Sequence, residues 1–125
     1  MGFSRVPKYC FVRITKIDNL IKHKKIDTVL IDTQGFDHLV LRGMQKTIRL
    51  YKPKILTEFV PQWILDMGWD PVDVLQEYQD YGYEVKSLDL HSSIELSPAT
   101  LVEEIRKSGK LYTNLSLIPR LSLNF

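Results

Sequence analysis

The sequence predicts one α/β domain in which a mostly parallel sheet carries helices on its faces. Residues 28–32 form a continuous apolar run that ends in an acid, which is typical of a strand buried on both faces, as in a parallel sheet. Segments with strand composition also alternate with segments of helical periodicity, and the connections between them are short. A chain of 125 residues is long enough to bury a core of its own, so we expect a single domain over residues 1–125.

The first third of the chain predicts two strands separated by a short helix. Residues 9–17 are rich in aromatic and β-branched side chains with partial two-residue alternation, so we expect a strand there. Residues 18–25 have the composition of a short helix or turn. The apolar strand over 28–32 follows, and residues 33–35 turn the chain.

The middle of the chain predicts a helix followed by a strand. Residues 37–51 are amphipathic, with apolar side chains at helical spacing and bases on the opposite side, and Pro53 ends the helix. The apolar positions are Leu41, Met44, Ile48 and Tyr51. Residues 54–60 predict the next strand. Because strand–helix–strand crossovers are right-handed and join parallel strands, we expect segments 28–32 and 54–60 to pair in parallel.

The last half of the chain predicts two more helices and two more strands. The elements in order are a helical turn within 61–69, a helix from Asp70-Pro71 to Gly82, a strand over 83–88, a helix from Ser97-Pro98 to Gly109 and a strand over 111–118. Each helix begins with a capping residue followed by proline and stops at glycine, which is the usual asymmetry of helix ends.

Composition excludes several classes of protein. Apolar residues make up 44% and charged residues 26% of the chain, so it is not a disordered tail, a collagen-like repeat or a coiled coil. The longest apolar stretches are three or four residues, so we expect no membrane span, and the expected location is the cytoplasm. The single cysteine, Cys10, excludes an internal disulfide and a thiolate-rich zinc site, and we expect no metal. The closest glycines, Gly35 and Gly43, are too far apart for a glycine-rich nucleotide loop.

Charge is distributed unevenly along the chain. Residues 1–26 hold seven bases against Asp18, whereas residues 66–104 hold ten acids against Lys86. A basic patch of this kind can bind nucleic acid, but no recognised nucleic-acid motif accompanies it. Two solvated faces of opposite sign are therefore the preferred interpretation, and a small basic nucleic-acid binder ranks last among the functions considered.

Asp32 is the first candidate for a functional side chain. It lies at the carboxyl end of the predicted buried strand, where open α/β sheets bind their ligands. Asp32 and Gly35 also fit the first and fourth positions of a type I turn, and spacing alone favours that local interpretation. Asp37 has a local interpretation too, as an acid in the first turn of a helix.

A resemblance to a known family adds to these observations. Residues 28–43 resemble the D-x-x-G-x-[DE]-x-x-[VL]-L-x-G signature of the FkbM family of S-adenosylmethionine-dependent methyltransferases. Residues 52–58 are similar to the strand that follows this signature in the family, which reads K-P-x-I-L-x-E. Shorter similarities at 14–20, 81–85 and 114–119 extend the resemblance over about 12–119, leaving a basic N-terminal stretch at 1–11.

The resemblance implies a partial Rossmann-like methyltransferase sheet and S-adenosylmethionine as cofactor. The implied reaction is transfer of a methyl group, most often to an oxygen of a sugar or natural product, so the expected partner is a small-molecule or sugar acceptor. The chain resembles the second half of such a domain, because it has no glycine-rich cofactor loop. We therefore expect a truncated domain that does not bind the cofactor alone. The alternative is a non-catalytic protein-interaction remnant of the same fold.

Truncation of this kind exposes one edge of the sheet. We therefore expect the chain to self-associate, or to depend on the missing half supplied in trans, unless residues 9–17 cover that edge.

The resemblance also assigns roles to particular residues. The candidate catalytic residues are Asp32, Asp37 and Glu58, and the candidate cofactor-binding residues are Asp32, Gln34, Gly35 and Phe36. Gln34 departs from the family, which most often has glutamate at this position, so a charge is lost there. Trp63 and Trp69 follow Glu58 closely and predict a substrate pocket or a partner surface, with core packing equally compatible.

Overall fold

Strands and helices alternate along the computed structural model, which describes residues 8–22 and 24–121. The elements in order are α1 (Ile17–Leu20), β1 (Thr28–Ile31), α2 (Asp37–Arg42), α3 (Gln45–Tyr51), β2 (Lys54–Phe59), α4 (Pro61–Asp66), α5 (Pro71–Asp80), β3 (Tyr83–Ser87), α6 (Pro98–Lys107) and β4 (Thr113–Pro119). Within the described residues, no helix is long and apolar enough to cross a membrane.

The four strands form one mixed sheet in the order β1-β2-β4-β3. β1 pairs with β2 in parallel, as predicted, whereas β4 runs antiparallel to both of its neighbours. The prediction of a mostly parallel sheet is therefore wrong, although the α/β class is confirmed. Alternating strand and helix patterns do not determine the direction of the last strand, because the long connection through α6 lets β4 enter the sheet from the opposite end.

Residues 9–17 do not form the predicted strand. Residues 8–16 have no regular structure, and α1 begins at Ile17. Phe11 is 99% exposed, and none of the four strands that the structure describes pairs with this segment, so strand composition alone does not produce a strand here. Most of the basic stretch at 1–11, namely residues 1–7, lies outside the described residues.

The predicted helix over 37–51 is divided into α2 and α3 at Gly43 and Met44. The carboxylate of Asp18 lies at this division, where it accepts hydrogen bonds from the backbone N–H groups of Lys46 (2.9 Å) and Thr47 (3.0 Å) and caps the first turn of α3. The backbone N–H of Asp18 donates in turn to the carbonyl of Gly43 (3.1 Å). Asp18 therefore anchors the N-terminal segment to α3, and these hydrogen bonds lower the pKa of its carboxyl group against the opposing effect of burial.

In the part of the chain that the structure describes, helices cover only one face of the sheet. Alternate side chains of each strand point toward the helices and pack with helix side chains to form the core. The core includes Ile31, Ile55, Val85, Leu115, Leu117, Leu41, Ile48, Leu75 and Ile105. On the opposite face Leu30 is 76% exposed, and Leu56 and Ile118 are 39% exposed. We call this second surface the open face. β1 is therefore not buried on both faces as its apolar run predicts, and the helices lie on one face of the sheet instead of both.

Candidate functional site

The carboxyl ends of β1 and β2 lie side by side and bring two predicted residues together. Asp32 follows Ile31, whose strand partner is Thr57, and Glu58 is the next residue of β2. Asp32 and Glu58 line one cavity of about 280 Å³ on the open face. The rest of its lining is Leu30, Ile31, Leu56, Thr57, Leu88 and Asn114. We call this space the Asp32–Glu58 cavity.

Glu58 lies in an unfavourable electrostatic environment for an ionised carboxylate. Its Oε2 atom is buried and has no hydrogen-bond partner among the described residues. Burial raises the pKa of Glu58, and the nearby charges of Asp32 and Asp37 raise it further. Glu58 can therefore hold or accept a proton at a higher pH than an ordinary glutamate, which is the property required of a general base.

Asp32 is held by the turn that follows β1. Its Oδ1 accepts a hydrogen bond from Nε2 of Gln34 at 3.0 Å. Gln34 has a φ of 55°, in the left-handed region that few residues other than glycine adopt. The amide of Gln34 therefore supplies a donor to Asp32, which an anionic glutamate at the same position could not do.

Asp37 is a buried residue whose acceptor oxygens are all occupied. Its Oδ1 accepts hydrogen bonds from the backbone N–H (2.9 Å) and the hydroxyl of Thr33. Its Oδ2 accepts from the hydroxyl of Thr57 (2.6 Å) and the backbone N–H of Glu58 (3.1 Å). Asp37 is 2% exposed and is not part of the cavity lining. It connects the turn after β1 to β2 and so sets the separation of Asp32 and Glu58.

The other two candidate cofactor-binding residues face away from this cavity. Gly35 has a φ of 94°, and a Cβ atom there would come within 3.0 Å of Trp63, so only glycine fits. Phe36 is half exposed and lines a separate groove with Ile14 and Leu39. The structure therefore brings Asp32 and Gln34 together and places Gly35 and Phe36 elsewhere.

The two tryptophans do not line the Asp32–Glu58 cavity. Trp63 packs against Gly35. The ring of Trp69 lies 4.1 Å from the guanidinium carbon of Arg42, in a cation–π arrangement, and makes an edge contact with His38 at 5.8 Å between ring centroids. Both tryptophans thus brace the turn and helix α2 beside the site.

Sequence reasoning missed a polar cluster around α2. Arg42 forms an ion pair with Glu77 of α5, and Glu77 also accepts a hydrogen bond from Tyr81. The bond from Arg42 lowers the pKa of Glu77. His38 is buried, and burial followed by the charge of Arg42 lowers its pKa. The four-residue spacing of His38 and Arg42 is the one signal in the sequence that places them on a common helix face.

Leu88 and Asn114 were also missed, and both line the cavity. Asn114 is the strand partner of Glu58, and its backbone N–H donates to Asp89 at 2.6 Å, which lowers the pKa of that carboxyl group. Strand alternation places Asn114 on the open face, but its position beside Glu58 follows only from the insertion of β4 next to β2. Within the described residues no group of three or more His, Cys, Asp or Glu side chains could hold a metal ion.

Acids at the carboxyl ends of adjacent parallel strands lie where open α/β sheets bind their ligands. The chain belongs to the FkbM methyltransferase family, since the family model described as the methyltransferase FkbM domain matches residues 3–85. The matched region contains Asp32, Asp37 and Glu58, whereas α6 and β4 lie beyond it. No curated protein and no solved structure matches the chain.

The Asp37→Asn variant tests the central role of this buried carboxylate. An asparagine NH2 group would face either the Thr33 donors or the Thr57 and Glu58 donors, so one pair loses its acceptor. We expect a loss of about 2–4 kcal/mol in the free energy of unfolding, measured by urea denaturation. The control is Asp66→Asn, which removes a charge from an exposed acid of α4 that interacts with Gln62. Equal stabilities of the two variants would contradict the proposed role of Asp37.

The pH dependence of stability tests the environment of Glu58. A raised pKa means that the folded state binds this proton more tightly than the unfolded chain, so folding is penalised above the raised pKa and the penalty disappears as pH falls through it. Glu58→Gln removes the penalty. We expect it to be more stable than the unmodified protein at pH 7.5, with an advantage that shrinks toward pH 4 in urea denaturation. In an Asp32→Asn background, the stability gained from Glu58→Gln should vary less with pH. A gain in the unmodified background that does not vary with pH would contradict the raised pKa of Glu58.

Proposed function

We propose that the chain forms the acceptor side of an S-adenosylmethionine-dependent methyltransferase site that acts on a hydroxyl oxygen of a sugar or natural product. The observation that carries this proposal is the pairing of Asp32 and Glu58 in one cavity at the joined ends of β1 and β2. The two carboxylates offer hydrogen-bond acceptors to a polyhydroxy ligand, and the side-chain amide of Asn114 offers a hydrogen-bond donor. The family match over this region makes methyl transfer the reaction to test.

The described residues do not fit the whole cofactor. The cavity of about 280 Å³ lies at the lower limit of the usual range of about 300–1,000 Å³ for drug-sized ligands, and its polar lining residues are Asp32, Thr57, Glu58 and Asn114. Gly35 and Phe36 face elsewhere, and the sequence has no closely spaced glycines to approach a nucleotide or a methionine group. We infer that residues outside 1–125 would have to supply the cofactor half of the site. The chain's own contribution is to bind and deprotonate the acceptor.

Glu58 is the proposed general base. Its raised pKa suits removal of a proton from the hydroxyl of the methyl acceptor as that oxygen becomes a nucleophile, and its side chain lines the cavity in which that hydroxyl would bind. Asp32 is the proposed orienting residue. Gln34 donates a hydrogen bond to one of its carboxylate oxygens, and the other oxygen can accept a hydrogen bond from the hydroxyl of the methyl acceptor. Asp37 is a positioning residue that holds both of them through Thr33 and the backbone of Glu58.

A non-catalytic interaction module is the second candidate function. The observation that favours it is the open face, where Leu30, Leu56 and Leu88 line the same cavity and are exposed, and Ile118 is exposed farther along β4. Exposed apolar side chains grouped in this way are typical of a surface that binds another protein. The two candidates differ in whether the Asp32–Glu58 cavity binds a small hydroxyl compound.

Isothermal titration of the purified chain tests the cofactor half of the proposal. We expect no measurable binding of S-adenosylmethionine, because the loss of two or three hydrogen bonds at about 1.5–3 kcal/mol each weakens binding by several powers of ten. Micromolar affinity that Asp32→Ala abolishes would show that a complete cofactor site exists in this chain.

The acceptor half is tested in the same preparation by nuclear magnetic resonance. Titration with a panel of methyl glycosides should shift the backbone amide signals of Glu58 and Asn114, and Asp32→Ala should remove these shifts while Asp66→Ala leaves them unchanged. Absence of any shift across the panel would favour the interaction module.

A further inference from the structure

One wall of the Asp32–Glu58 cavity comes from the last two strands of the sheet. Asn114 of β4 is the strand partner of Glu58, and Leu88, the residue after β3, donates its backbone N–H to the carbonyl of Asn114 at 2.8 Å. Both residues line the cavity, on the side of Glu58 that faces away from β1 and Asp32. We call Leu88 and Asn114 the far wall.

Both backbone groups of Asn114 point toward β3, which brings its side chain close to Glu58. The carbonyl of Asn114 accepts from Leu88, and its N–H donates to the carboxylate of Asp89 at 2.6 Å. The backbone N–H of Glu58 points away from β4, since it donates to Asp37 at 3.1 Å. Glu58 and Asn114 therefore form a non-hydrogen-bonded antiparallel pair, in which the Cα atoms are about 4.5 Å apart and the side chains lie close together. A ligand hydroxyl that contacts Glu58 thus lies beside the side-chain amide of Asn114.

Asp89 takes the place of a strand residue beside Asn114. In a continued ladder the carbonyl of Leu88 would accept the N–H of Asn114. Strand β3 ends at Ser87, however, and Oδ2 of Asp89 accepts this N–H together with the hydroxyl of Thr113 at 2.9 Å. The bond from the backbone N–H of Asn114 is the main cause that lowers the pKa of Asp89, so its carboxylate is ionised at neutral pH. An ionised acceptor forms a stronger hydrogen bond than a neutral one.

Ser87 holds Asp89 in place. The hydroxyl oxygen of Ser87 accepts hydrogen bonds from the backbone N–H groups of Asp89 and Leu90, each at 3.1 Å. It also forms a hydrogen bond with the hydroxyl of Thr113. Because Thr113 has one hydroxyl proton and donates it to Asp89, Ser87 is the donor in this bond. The chain is therefore fixed where it leaves β3, and with it the position of the Asp89 carboxylate relative to β4.

We propose that Asp89 is a positioning residue of the acceptor site and acts through Asn114 and Leu88. It fixes the far wall so that the amide of Asn114 donates to a second oxygen of the molecule whose hydroxyl Glu58 contacts, while Leu88 packs against its carbon atoms. This inference rests on the proposed function, because the methyl acceptor is the ligand that the far wall contacts. Asp89, Asn114 and Leu88 all lie beyond the region 3–85 that the family model matches.

Titration by nuclear magnetic resonance tests this role, with the methyl glycoside that shifts the amide signal of Glu58 most. Asp89→Ala removes both hydrogen bonds to β4 and should weaken binding of that glycoside at least about tenfold. Asp89→Asn keeps an oxygen that can accept both bonds and should bind within about threefold of the unmodified protein. The matched control is Ser92→Ala, which removes a hydrogen bond to the carbonyl of Ile94 in the same connection and should leave the affinity unchanged.

Amide exchange separates this role from a general loss of stability. In Asp89→Ala the backbone N–H of Asn114 loses its acceptor, so its exchange should accelerate at least about tenfold more than exchange of the Glu58 amide, which donates to Asp37. Circular dichroism verifies that the variant folds. If it does not, Ser87→Ala takes its place, because it removes the acceptor of the Asp89 N–H and should produce the same changes to a smaller extent.

Three results would overturn the proposal. Equal glycoside affinities of Asp89→Ala and the unmodified protein would overturn it while leaving the proposed function intact. Equal acceleration of exchange at Asn114 and Glu58 would show that Asp89 contributes only to overall stability. Absence of glycoside binding to the unmodified protein would overturn the proposed function and, with it, this role of Asp89.

Discussion

The rest of the site depends on the buried carboxylate of Asp37. Transfer of an ionised carboxylate out of water costs several kcal/mol unless hydrogen bonds offset the loss of hydration. Four donors do so here, two from Thr33 in the turn after β1 and two from Thr57 and Glu58 in β2. Because the donors come from both strands, one side chain fixes the shape of the turn and the alignment of the two strand ends. Asp32 and Glu58 face one cavity as a consequence.

The one-sided sheet explains why this cavity is shallow and why the surface around it is apolar. Helices cover the face that holds Ile31, Ile55 and Leu117, whereas the Asp32–Glu58 cavity opens onto the uncovered face. Catalytic acids usually work in a site from which water is excluded. The described residues form the strand floor of this cavity and no wall opposite it, so they provide the acids but do not exclude water from them. Anything that covers the open face would therefore also enclose the acids.

Local sequence patterns predicted where helices and strands occur better than they predicted which strands pair and in which direction. The parallel pairing of 28–32 with 54–60 could be predicted, because the apolar run, the amphipathic helix and the following strand all lie within one short stretch of sequence. The direction of β4 and the absence of a strand over 9–17 could not, since both depend on which edges are available in three dimensions. The same distinction holds in the site. The family signature indicated Asp32 and Glu58, but the four bonds that make Asp37 a positioning residue involve Thr33 and Thr57, whose hydroxyls carry no signal in the sequence.

Native-state hydrogen exchange at single residues tests the central claim most directly. The backbone amides of Thr33 and Glu58 donate to Asp37, so we expect both to exchange only through global unfolding, with equal opening free energies that match the value from urea denaturation. In Asp37→Asn, exchange of at least one of the two amides should become local and much faster than global unfolding allows. Exchange of Thr33 and Glu58 in the unmodified protein as fast as that of the exposed Phe11 amide would show that Asp37 does not hold the two strand ends together.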